Sequence, residues 1–125
     1  MITKINVKRV YEPPEASDGR RILVERLWPR GLRRDAIDLD RWAKELGASD
    51  ALRRWYHHVP DRWPEFQRRY RAQLRQHPEH WLELVELAQS EPLTLLFSAR
   101  DEERNNAVAL ATFLAERLLE SEEVE

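Results

Sequence analysis

Three side chains in one short stretch have the types and spacing to do chemistry. In Arg21–Gly31, RILVERLWPRG, the guanidiniums of Arg26 and Arg30 flank the indole of Trp28, on a turn stiffened by Pro29 and closed by Gly31. Arginine presents a planar fork that pairs bidentately with phosphate or carboxylate, and an adjacent indole offers a stacking face. The purely structural alternative is that Trp28 plugs the edge of the core while the arginines pair with Glu25, Asp101 or helix ends. His57 and His58 form an adjacent imidazole pair. Neighbours on a helix face different ways and there is no CxxC or HExxH spacing, so no metal site is predicted there. His58 alone could act as a general base, or cap a helix C-terminus, where a cation or donor is favoured. Asp101 and Asn105 stand where the last helix should begin, which makes them caps that can also face a ligand. Ser98 lacks a GxSxG setting, and GxGxxG and GxxxxGK[ST] are both absent, so nothing points to a nucleophilic serine, a dinucleotide, a P-loop or any other cofactor.

The elements that must position these groups can be read from hydrophobic period and punctuation. Ile2–Val10 alternates and is β-branched, a first strand. Tyr11–Gly19, with two prolines and Asp18-Gly19, is a loop. The apolar run Ile22–Val24 predicts a second strand, over about 22–26, covered on both faces. Leu39, Trp42, Ala43 and Leu46 recur at helical spacing, with Gly47 placed to end that helix. Ser49 should cap a short helix through His57. Asp61 should cap a long one to about Gln76, with Trp63, Phe66, Tyr70 and Leu74 as its buried stripe. Pro78 suits the first turn of a further helix to about Gln89. Leu93–Ser98 is a third strand, and a final helix spans about Asn105–Leu119 before a frayed acidic tail, residues 120–125. The expected fold is one compact α/β domain over residues 1–125: a small, about three-stranded, mainly parallel sheet covered by about five helices. Ligands of such sheets sit beyond the carboxyl ends of the strands. That rule brings Arg9, Tyr11, Arg26, Trp28, Arg30, Ser98, Arg100, Asp101 and Asn105 to one rim. The positive end of the last helix joins them there.

Composition narrows the classes. The chain has 125 residues, 42% hydrophobic and 35% charged, which is one domain of ordinary size and not a disordered one. Cysteine is absent, no apolar run approaches the length of a membrane span, and the N-terminus lacks an apolar signal core, so a cytoplasmic protein is expected. The net charge of −2 is unevenly spread. Residues 1–75 hold 18 Lys and Arg against 11 Asp and Glu, net +7, and residues 76–125 hold 3 against 12, net −9. Either the halves neutralise each other where they pack, or the first part presents an anion-binding face. The run Arg68–Arg75, RRYRAQLR, is a solvated helix face or a nucleic-acid contact.

Five segments in order, LVERLWPRG, WAKELGAS, LRRWYHH, RWPEFQRRYRAQL and LTLLFSARDEERNNAVAL, resemble the YeaO-like proteins, the domain-of-unknown-function family numbered 488. The resemblance runs from Lys8 to about Leu118. It implies a compact α/β fold with a small parallel sheet, and no particular reaction. Matching positions include Arg9, Arg26, Trp28, Pro29, Arg30, Gly31, Lys44, Trp55, His58, Trp63, Phe66, Tyr70, Asp101 and Asn105. The chain departs from the family pattern at three places. Glu25 stands where members carry Asp, His57-His58-Val59-Pro60 replaces Gly-His-Asp-Pro, and Arg104-Asn105 replaces His-Asn. This last departure puts in question any mechanism that needs an imidazole at 104.

The functional expectation is a small anionic ligand, bearing phosphate or carboxylate, at the strand ends. Arg26 and Arg30, with Arg9 or Lys44, would hold the anion, and Trp28 would stack. Asp101 or His58 would be base or orienting group if there is catalysis, and Asn105 would donate a hydrogen bond. The alternatives are a nucleic-acid-binding module built on the arginine-rich first part and a non-catalytic interaction protein. No membrane partner is expected, and the sequence leaves the oligomeric state open.

Overall fold

A computed structural model describes residues 5–124 of the chain, and the side chains of residues 5–121. Four parallel strands form one sheet: β1 (Ile5–Arg9), β2 (Arg20–Leu23), β3 (Arg41–Trp42) and β4 (Leu93–Phe97), in the spatial order β1-β4-β2-β3. Four α-helices follow the order α1 (Asp50–Tyr56), α2 (Trp63–Gln76), α3 (Leu82–Ala88) and α4 (Asn106–Val124). The α/β class and the parallel sheet are as the sequence predicts.

The pleat explains the two-sided core. Successive side chains on a strand point to opposite faces. Ile22, Val24, Leu93, Leu95 and Phe97 share one buried cluster with residues of all four helices, including Leu52, Phe66, Tyr70, Leu84, Leu110 and Phe113. Leu23 and Leu96, of opposite parity, join Val10 on the second face. No helix covers that face among the described residues. The connection between β2 and β3 does so, folding Trp28, Leu32, Ile37 and Leu39 onto it together with Trp42. Trp28 meets Trp42 edge-on at 5.1 Å, and Arg34 lies 5.1 and 4.8 Å from the two ring centres. β4 is central, which accounts for its five consecutive buried residues.

On the same face, Arg21 and Thr94 converge with Lys8 on Asp18. Asp18 is 6% exposed and its carboxylate lies 2.5 Å from Arg21 Nη1 and 3.2 Å from Lys8 Nζ. It also accepts from the Glu15 backbone N–H, and its carbonyl accepts from the Thr94 hydroxyl at 2.7 Å. Burial pushes this carboxyl upward; the Glu15 amide, Arg21 and Lys8 outweigh it and hold the group below its ordinary value. Gly19 follows at φ +63°, and a β-carbon there would sit 2.1 Å from the Pro92 carbonyl oxygen. Glycine is thus required where the loop passes into β2.

Several expected boundaries are corrected. The sequence's three strands are four, and its five helices are four. The first strand begins at Ile5, with residues 2–4 outside the described part, and the second spans Arg20–Leu23 rather than 22–26. The helix expected over Leu39–Leu46 does not form: Arg41–Trp42 is a strand, and Lys44–Leu46 is a single 3-10 turn. Pairing decides this. Strand β2 would otherwise leave one edge unbonded, and it bonds to residues 40–43 through Asp40 N to Arg21 O and Ala43 N to Leu23 O. Gly47 is accordingly not a left-handed helix end; its φ is −69°. Its missing side chain instead admits the Arg26 backbone, whose nitrogen would lie 2.6 Å from a β-carbon at 47. Ser49 does cap α1, accepting from Leu52 N at 3.2 Å. Asp61 does not cap α2, because Pro60–Arg62 is a 3-10 turn, and Pro78 opens another 3-10 turn ahead of α3. Helix α4 continues through residues 120–124 instead of fraying at 119.

Candidate functional site

A cleft of about 750 Å³ opens at the carboxyl ends of β1, β2 and β4. Among the described residues, six arginines line it, Arg9, Arg26, Arg30, Arg53, Arg54 and Arg100, against a single carboxylate, Glu25. Glu25 is committed: its oxygens accept from the Ser98 N–H at 3.0 Å and the Ser98 hydroxyl at 2.7 Å, tying the end of β2 to the end of β4. Ser98 is thereby a structural hydroxyl bound to a carboxylate, with no imidazole bonded to it among the described residues.

The six arginines divide by what they already hold. Arg9 donates from Nε to Ala99 O at 3.0 Å and from Nη2 to Ser98 O at 3.1 Å, and packs over Tyr11. It braces the turn after β4 more than it offers a free fork. Arg26 donates from Nε to Ala48 O at 2.8 Å, leaving its terminal nitrogens without a protein partner among the described residues. Arg53 makes one long pair with Asp50 at 3.4 Å. Arg30, Arg54 and Arg100 are exposed, and their side chains make no hydrogen bond or ion pair among the described residues. The turn carrying Arg30 is anchored by Tyr11, whose hydroxyl donates to the Arg30 carbonyl at 3.0 Å. Low-dielectric walls around clustered charge of one sign concentrate its field on whatever anion enters.

The floor is the start of α4. Asn105 is 2% exposed; its Oδ1 accepts from Val108 N at 3.0 Å and its Nδ2 donates to Asp101 O at 2.9 Å. Asn106 donates to Val24 O at 2.6 Å. These bonds point the positive end of a 19-residue helix into the cleft and fix it against the end of β2. Tyr56 and Phe66 form an aromatic side, with ring centres 4.4 Å apart, and His58 lies 5.4 Å from Tyr56. The Tyr56 hydroxyl donates to Arg104 O at 3.0 Å; burial first, then the Asp101 charge, push its pKa up, so it stays a neutral donor.

Of the residues singled out in the sequence, the structure brings Arg9, Arg26, Trp28, Arg30, His58 and Asn105 to this cleft. Lys44 is elsewhere, its Nζ 4.1 Å over the Trp42 ring on the second face of the sheet. Asp101 sits beside the cleft without lining it. Its carboxylate accepts from Glu103 N, Arg104 N and Arg104 Nε at 2.8–3.1 Å, and the Arg104 guanidinium, seconded by those amides, holds it below the usual carboxylate range. Trp28 contributes an edge, since its indole N–H is bonded to Leu32 O at 2.6 Å and its body packs on Trp42. Sequence reasoning missed Arg53 and Arg54. The signal was available: they sit on the exposed face of the one helix that ends at the two histidines.

Those histidines carry the most unusual backbone of the site. His57 and His58 have φ of +42° and +51°, two successive left-handed residues without glycine. The conformation ends α1 abruptly and places both imidazoles on the cleft wall.

Three of the four arginines of the RRYRAQLR run, all but Arg75, are engaged with acidic partners. Arg68 and Arg69 both hold Glu65 at 2.7 Å, and Arg71 pairs with Glu116 of α4. Part of the charge asymmetry is thus neutralised between α2 and α4. No helix among the described residues is long and apolar enough to cross a membrane.

A model of the family described as "Inactive DUF488-N3 subclade" matches residues 4–125. "Uncharacterized protein YeaO" of Escherichia coli strain K12 is 44% identical over 110 residues, covering 88% of this chain and 96% of that protein. "Uncharacterized protein Mb3100c" of Mycobacterium bovis and "Uncharacterized protein Rv3073c" of Mycobacterium tuberculosis H37Rv are each 40% identical over 113 residues, 90% of this chain and 94% of theirs. No solved structure matches. With a family match that spans the described fold and its cleft, the chain belongs to the YeaO-like DUF488 proteins, within the DUF488-N3 subclade described as inactive.

Proposed function

We propose that this protein binds a small ligand bearing phosphate or carboxylate in the arginine-lined cleft, and does not turn it over. The observation that carries the binding half is the imbalance of the lining: six guanidiniums face one carboxylate that is already bonded to Ser98. Arg26, Arg30, Arg54 and Arg100 hold the anion, the α4 N-terminus adds its partial charge, and Tyr56 and Phe66 accept the apolar remainder.

Three observations support binding without turnover. A general base needs a pKa near the working pH, and Asp101 is held ionised well below it by Arg104. His58, the other candidate base, has no carboxylate or carbonyl orienting its ring among the described residues. The matched subclade is described as inactive. The nucleic-acid alternative has less support, because three of the four arginines of the RRYRAQLR run, Arg68, Arg69 and Arg71, are occupied by Glu65 and Glu116.

Isothermal titration with inorganic phosphate, pyrophosphate and a nucleoside diphosphate tests the reading. At least one should bind, with affinity that weakens as salt is raised. Arg30→Ala and Arg54→Ala should each weaken that binding about tenfold, roughly one lost charge-assisted hydrogen bond, with melting unchanged. Wild-type affinity in both variants would remove the cleft as the site. Tight oligonucleotide binding that survives in both variants would favour the nucleic-acid reading instead.

A further inference from the structure

We propose that His77, Glu79 and His80 form a surface site for one divalent transition-metal ion of the class that accepts imidazole and carboxylate together, such as zinc or nickel. The site is unrelated to the cleft. Phe66 lines the cleft near the start of α2, whereas His77 follows its last residue, roughly 15 Å further along a helix that rises about 1.5 Å per residue.

The local sequence builds the site. His77-Pro78-Glu79-His80 leaves α2 and passes into the 3-10 turn Pro78–His80. A 3-10 turn has three residues per turn, so positions three apart eclipse one another. His77 and His80 do so: their rings stack with centres 4.8 Å apart and planes 10° from parallel. Glu79 lies between them in sequence and reaches both. Its Oε2 is 3.0 Å from His77 Nδ1 and 3.5 Å from His80 Nε2. The three ligand atoms lie within 4.8 Å of one another. An ion bonded to each at about 2.1 Å needs neighbouring ligands roughly 3.0–3.4 Å apart, for right-angled to tetrahedral coordination. The His77–Glu79 edge falls in that range and the His80–Glu79 edge lies just above it, and the two exposed or half-buried imidazoles turn out of their stack to bring both nitrogens onto the ion.

The platform beneath is stiff. Pro78 limits the backbone, His80 N bonds to His77 O at 3.0 Å, and Trp81 N bonds to Pro78 O at 3.1 Å. Trp81 is buried, donates its indole N–H to Leu74 O at 2.7 Å and packs edge-on against Phe113. A turn so anchored loses little freedom when its ligands close on an ion. Two imidazoles and one carboxylate select zinc, nickel or copper over magnesium or calcium, and the remaining coordination positions face water.

The test is calorimetric titration of the full chain, carrying no histidine tag, with Zn²⁺ and Ni²⁺. We expect one ion per chain, no comparable binding of Mg²⁺, and a metal-dependent rise in melting temperature. His77→Ala and His80→Ala should each lower affinity at least tenfold, and Glu79→Gln about threefold or more. The three side chains are exposed or half-buried, so metal-free melting should not change. The double variant His57→Ala/His58→Ala should bind as wild type. Undiminished affinity after both His77 and His80 are replaced, loss of binding in the His57/His58 variant, or no uptake at millimolar metal would each overturn the proposal.

Discussion

At His57 a bulky side chain occupies a backbone region that costs a non-glycine residue on the order of 1 kcal/mol, although histidine tolerates it better than most. The resemblance to the YeaO-like proteins implies glycine at this position. His57→Gly should therefore leave the fold intact and raise stability by up to about 1 kcal/mol in urea titration; a loss of stability would mean the imbalance is offset by contacts of the imidazole. Asp18 is the opposite case, a residue whose charge the fold depends on. Removing it by Asp18→Asn leaves buried Arg21 without its counter-charge and Lys8 with only the exposed Glu15, and should cost about 3 kcal/mol. The same group sets an acid limit. Its folded-state pKa is depressed, so its contribution is fully present above the unfolded value of about 3.9 and is lost as pH falls through that value and below. Wild-type stability should be level above about pH 5 and fall steeply below 4, and the variant should fall less steeply over the same window.

Among the elements, α4 depends most on its first residues. Asn105 closes both the first turn of the helix and the preceding Asp101 turn while buried at 2% exposure. Asn105→Ala should cost about 1–2 kcal/mol and also weaken anion binding, since the helix end would no longer be held at the cleft. Melting and phosphate titration on one sample check both. If stability drops while anion affinity stays put, the helix terminus contributes nothing to the ligand. Elements whose own residues determine them were legible in advance. The apolar run of β4, the alternation of β1, the buried stripe of α2 and the Ser49 cap each carry a local cause. Strand β3 was not, because Leu39, Trp42, Ala43 and Leu46 satisfy a helical period and lose to the unpaired edge of β2. The site was legible to the same extent. The rule that ligands sit at strand ends gathered Arg26, Arg30 and Asn105, and these residues share the lining of one cleft. It could not say that Arg104 would occupy Asp101, that Ser98 would occupy Glu25, or that Lys44 would turn to the opposite face.

For the molecule as a whole, the order β1-β4-β2-β3 has a consequence for how the chain comes together. The strand in the middle of the sheet is the last to be made: Ile5 aligns with Leu93, and Arg20 with the same Leu93. Until some ninety residues have emerged, β1 has no strand beside it and β2 has only the two-residue β3, and the apolar faces of α1 to α3 lack the central strand they settle against. Such distant pairings are slow to find. A ribosome-held chain stopped short of residue 93 should remain open to protease, and one released past α4 should become resistant in a single step, with no partly protected fragment before it.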